Sequence, residues 1–130
     1  MRILLVASFL LSAFSIHSLA DHGGWSRDKV IGSMSERKWR SQETFDTDVY
    51  SIRSELEKTP KDLSQEKLDN LSSWAARLLA GQKIIKNRLE DLGKDPETSA
   101  SRKSQAASLV KLYDERVETL EKLLLDISNY

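Results

Sequence analysis

An all-α protein follows from three features of this 130-residue sequence. Apolar residues recur at alternating spacings of four and three through most of it, the period of one buried helix face. Serine and aspartate stand where such stripes begin, as helix caps do. Both prolines, Pro60 and Pro96, fall between stripes. The pattern predicts an antiparallel, up-down-up bundle of three helices with coiled-coil-like seams, preceded by a signal peptide.

Residues 1–20 stand apart. Met1-Arg2 gives a short basic start, residues 3–16 are uncharged and mostly apolar, and Ser18-Leu19-Ala20 places small residues on either side of Leu19. That order is the grammar of a secretory signal peptide cut after Ala20. The apolar run is shorter than the ~20 residues a membrane-spanning helix needs. The expected compartment is therefore periplasmic or extracellular, with no transmembrane segment after cleavage.

Residues 21–33 hold three of the five glycines (Gly23, Gly24 and Gly32). Glycine lowers helix stability, so a flexible N-terminal arm is expected there. The helical bundle is expected over 34–130. Ser33-x-x-Glu36 fits a capping box and would open the first helix. Phe45, Val49, Ile52 and Leu56 follow on one face, with Trp39 off that stripe. Thr59-Pro60 ends the helix, because a residue before proline avoids the α region.

The second stripe is the clearest: Leu68, Leu71, Ala75, Leu78, Gln82, Ile85, Leu89 and Leu92. Ser64 would cap this helix, with Leu63 and Leu68 as a hydrophobic staple. Gly93 would close it as a C′ residue. Gln82 is a polar residue in the seam, of the kind that can fix register at a cost in stability. The third helix is announced by Asp95-Pro96-Glu97, a cap followed by proline and an acid. Residues 98–108 are rich in Ser and Ala and should pack little; Val110, Tyr113, Val117, Leu120, Leu124 and Ile127 then carry the stripe to the end. Short connections make neighbouring helices antiparallel. The alternative arrangement keeps the second and third helices as a long, dimerising hairpin.

The chemistry excluded is as informative. The chain has no cysteine and two histidines, one inside the expected signal peptide. That removes thiol nucleophiles, Zn–Cys clusters and paired-histidine sites, and catalytic triads built on histidine lose their base in any ordered element. No phosphate-binding glycine loop is present. The D-x-D pair Asp46 and Asp48 does not converge on a helix, where residues i and i+2 face apart. No enzyme and no cofactor are expected. Asn70-Leu71-Ser72 matches a glycosylation triplet, but Leu71 belongs to the buried stripe. After cleavage His22 would be the second residue, behind the free amine of Asp21. Amine, amide and imidazole nitrogens together suit Cu(II), so Asp21 and His22 are the candidate metal ligands.

Charge is balanced overall, with 20 basic and 20 acidic residues, which gives no electrostatic reason to expect nucleic acid. Its layout is ordered. Residues 25–41 and 77–94 each carry five basic and two acidic residues; 42–58 and 114–130 each carry two basic and five acidic. Up-down-up folding would gather the basic segments at one pole and the acidic ones at the other. Arg37, Lys38, Arg40, Lys83, Lys86 and Arg88 are the candidate binding residues of the basic pole. The expected function is an exported, non-enzymatic binding or adaptor protein that engages an unknown protein or an anionic envelope surface. The alternatives are a self-assembling coiled-coil homo-oligomer, with unlike poles meeting end to end, and a copper-binding exported protein.

Overall fold

A computed structural model of the chain describes residues 25–58 and 64–130. Every regular element among them is an α-helix: α1 (Arg27–Glu36), α2 (Lys38–Lys58), α3 (Gln65–Lys94) and α4 (Ala100–Ser128). The expected signal peptide, Asp21 and His22 lie outside the described residues, as do Pro60 and Leu63.

The long helices α3 and α4 form an antiparallel hairpin, and the rest of the chain packs along it. Ser64 caps α3 as expected, its Oγ accepting from the Lys67 amide at 3.2 Å. The other end of α3 differs from expectation. The helix runs through Gly93 to Lys94, and Asp95 is its C-cap in extended geometry. Gly93 serves packing: a Cβ there would stand 3.3 Å from the Ala106 Cβ of α4. Asp95-Pro96-Glu97 builds the turn before α4, not its first helical turn. Asp95 Oδ1 accepts from the Glu97 amide at 2.9 Å, and Ser99 is the N-cap, accepting from the Arg102 amide. Thr98 is buried between the helices because its hydroxyl donates to the free Leu92 carbonyl at 2.6 Å. The start of α4 therefore packs closely, against the expectation for 98–108. Ala106 and Leu109 are buried there, and small side chains let the helices approach.

The expected flexible arm is corrected from residue 27 onward. Ser26 caps α1 by accepting from the Lys29 amide at 3.2 Å, and Val30 and Ile31 are buried. Gly32 does not loosen this helix. It admits the Arg102 guanidinium, whose carbon lies 2.7 Å from where a Cβ would be. Ser33 lies inside α1, so the expected capping box does not start a helix. The chain pauses at Arg37, whose amide bonds back to the Ser33 carbonyl at 3.1 Å, and α2 follows at once. Between Ile31 and Phe45 no apolar side chain is fully buried, and only Met34, before the break, packs partly against the core.

The buried residues fall into two clusters. Phe45, Val49, Ile52 and Leu56 of α2 pack with Leu71, Ala75 and Leu78 of α3 and Leu120, Leu123 and Ile127 of α4. Val30 and Ile31 of α1 pack with Ile85, Leu89 and Leu92 of α3 and Ala106, Leu109 and Tyr113 of α4. Pairing the start of α3 with the end of α4, and the reverse, confirms the antiparallel hairpin. Gln82 on α3 and Arg116 on α4 are buried between the clusters.

Candidate functional site

Arg37, Lys38 and Arg40 are exposed together at the α1–α2 break. Arg37 donates to the Ser33 hydroxyl at 2.8 Å. The Arg40 guanidinium lies 5.3 Å from the ring of Trp39, which is 61% exposed. A cation over an indole face is a favourable contact and holds both groups at the surface.

The α3 members of the candidate set lie elsewhere. Lys86 pairs with Asp114 of α4 at 2.5 Å and with Glu90 at 3.8 Å. The bond to Asp114 raises the lysine pKa above its ordinary value, against the opposing effect of desolvation. Asp114 stands roughly 200° around α4 from Leu112, which faces α2. The Lys86 contact therefore occupies the flank of the hairpin away from the α1–α2 break. Lys83 precedes it by one turn and is exposed; Arg88 is half-buried. Arg37, Lys38 and Arg40 thus lie apart from Lys86.

The break leaves a long groove between α2 and α4, which run parallel. Its upper part, about 700 Å³, lies between Lys38, Trp39 and Gln42 on one side and Gln105, Ser108, Lys111 and Leu112 on the other. Its lower part, about 460 Å³, runs past Phe45, Val49, Tyr50, Leu112, Arg116 and Thr119. The two meet at Gln42, Leu112 and Glu115, which line both. Trp39 and the 72% exposed Tyr50 stand on nearly the same face of α2, about 16 Å apart at ~1.5 Å per residue.

Arg116 is the residue that sequence reasoning missed. Only 3% of it is exposed, yet it lines the groove. Nε donates to Gln42 Oε1 at 2.9 Å and Nη2 to Ser41 Oγ at 3.0 Å. The guanidinium also lies 4.6 Å from the Tyr113 ring and 5.6 Å from the Phe45 ring. Among the described residues no carboxylate forms an ion pair with it, and its side-chain partners, Ser41, Gln42 and Tyr113, are neutral. The nearest charge compensation passes through an amide: Gln42 Nε2 donates to Asp46 Oδ1 at 2.8 Å. Burial lowers the Arg116 pKa, and Tyr113 and Asp46 only partly oppose that. A buried cation with neutral direct partners is costly to a fold unless something else requires it.

The heptad spacing held the signal. Leu109, Tyr113, Arg116, Leu120, Leu123 and Ile127 alternate four and three without a gap. Choosing the apolar neighbour at each step selects Val110, Val117 and Leu124 and steps around Arg116.

Among the described residues no group of His, Cys, Asp or Glu is arranged to hold a metal ion. Among the same residues no helix is long and apolar enough to cross a membrane. Asp46 accepts from Gln42, Asp48 is half-buried and Glu90 meets Lys86. Comparison with protein families, characterised proteins and solved structures finds no match to this chain.

Proposed function

We propose that the protein is an exported, non-enzymatic helical binding or adaptor protein that engages an anionic envelope surface through the corner at the α1–α2 break. In this reading the signal peptide is removed after Ala20, and α1 and α2 act as the broken first leg of a three-legged, up-down-up bundle. The observation that carries the reading is the run Arg37-Lys38-Trp39-Arg40, exposed at a break that the core does not use. Basic side chains near an anionic lipid surface contribute about 1 kcal/mol each, and a tryptophan among them suits the headgroup region. Lys86 is already engaged by Asp114, so the reading narrows from the whole basic half to this corner.

Co-sedimentation with vesicles tests it. Anionic vesicles should pellet the protein at low salt, and neutral vesicles should not. Binding should weaken sharply as salt rises. Reversing Arg37, Lys38 and Arg40 to Glu together should abolish it. Equal binding to both vesicle types, or a charge-reversed variant that binds normally, would refute the reading.

A further inference from the structure

We infer that the α2–α4 groove is a docking channel for an acidic polypeptide segment, with Arg116 as the seat of one of its carboxylates. This goes beyond the surface reading above and does not depend on it.

Three observations support the inference. The first is Arg116, a buried guanidinium lining the groove, whose direct partners, Ser41, Gln42 and Tyr113, are all neutral. A carboxylate reaching the guanidinium would add the charge-assisted bond that the fold leaves out. The second is charge. Lys38, Lys111, Arg53 and Arg116 line the groove against Asp46 and Glu115. Arg53 is shared with Asp126 at 3.3 Å, but Lys38 and Lys111 form no ion pair among the described residues. The third is the rim. Trp39 and Tyr50 with Arg116 between them are the three residue types that dominate binding energy at protein interfaces.

The shape argues for a chain as occupant. The groove runs beside α2 from Lys38 to Arg53, about 22 Å at ~1.5 Å per residue. An extended segment of about seven residues spans that distance. A small molecule calls for a pocket that covers most of its surface, and this channel is open along its length. A flat lipid surface cannot reach a guanidinium on a groove floor.

Arrays of octapeptides built from Glu, Lys, Leu and Ser provide the probe. Peptides that combine Glu with Leu should bind, and Lys-bearing ones should not. In solution, replacing Glu by Gln in the best peptide should weaken binding at least roughly tenfold. Arg116→Met keeps the volume of the site without the charge and should lose binding while its circular dichroism melt stays normal. Tyr50→Ala changes only the exposed rim and should weaken binding by a similar factor. Absence of acidic preference on the array, or wild-type affinity in both variants, overturns the proposal. Failure of the vesicle experiment above leaves this one untouched.

Discussion

The two ends of the α3–α4 hairpin are covered in different ways. At one end α2 supplies a four-residue apolar stripe, Phe45 to Leu56, which closes against six core partners on the hairpin. At the other, α1 supplies two buried residues, Val30 and Ile31, with Met34 partly buried beside them, and adds polar ties. Arg27 pairs with Asp95 at 2.6 Å and with Glu97 at 3.1 Å, and Asp28 accepts from the Ser99 amide at 3.1 Å. The first end is held by burial, which is non-directional and insensitive to salt. The second relies more on exposed charge, where each pair contributes about 0–1 kcal/mol and salt screens it. The physical lesson is that α1 is the part of the fold able to open alone, while α2 opens only with the rest.

The largest test of this contrast uses two isoleucines of equal burial, Ile52 and Ile31, both fully inaccessible. Ile52→Ala should cost about 2–5 kcal/mol of global stability, read from denaturant unfolding. Ile31→Ala removes the same atoms, but its global cost should be smaller, capped by the free energy of opening α1. Equal losses would show one cooperative unit and break the comparison.

A smaller effect sharpens it. Ser26→Ala removes the α1 cap and should cost about 1 kcal/mol. Hydrogen exchange should show that loss in α1 amides alone, with α2 unchanged. Raising salt to 1 M should act in the same direction, since screening then falls within ~3 Å. Between the ends, Arg116→Met should leave stability unchanged or raise it, because it removes a desolvated cation whose partners are neutral. A loss above about 1 kcal/mol in denaturant unfolding would instead make the Arg116–Ser41–Gln42 bonds part of what holds the fold.

Legibility in the sequence followed periodicity. The α2 and α3 stripes were readable because Phe45, Ile52, Leu71 and Leu89 repeat with the helix and are all buried. Ser64 was readable as a cap because a long apolar stripe follows it. The first helix was missed because Gly32 was weighed by its propensity, whereas its value is the space it leaves for Arg102. Gly93 misled for the same reason, since its partner Ala106 lies on another helix. Pro96 was read as the first residue of the third helix, but it lies in the turn before it, and Ser99, three residues later, is the cap the helix used. For the site, the Arg37–Arg40 run was visible as charge. The groove was not, because it depends on which flank of α4 faces α2, and two helical registers one residue apart fit the apolar pattern of α4 nearly equally well.

The smallest effects concern two acids on α2 with opposite signs, and they ask whether the apolar end is as indifferent to charge as its core suggests. Asp48 is half-buried, and desolvation raises its pKa. A raised carboxyl helps the fold only below its unfolded value of ~3.9, and that help is lost as pH climbs through the folded value. At pH 7 the charge is a cost, so Asp48→Asn should stabilise, by no more than about 0.5 kcal/mol for a partly exposed site. The gain should vanish as pH falls below about 4. Glu55 runs the other way. Lys67 of α3, 3.0 Å away, holds its pKa down by hydrogen bond and charge, with Lys58 adding to the effect. Its contribution is present above the unfolded value of ~4.3 and is lost as pH falls through the lowered one. Glu55→Gln should therefore destabilise at pH 7, slightly, since the pair is exposed. Urea midpoints for both variants at pH 7 and pH 3 decide the matter. Opposite shifts at pH 7 would show that charge at this end only trims a fold set by burial. Shifts of the same sign would mean that Asp48 is supported by a cation, and that the α2 end is tied as the α1 end is.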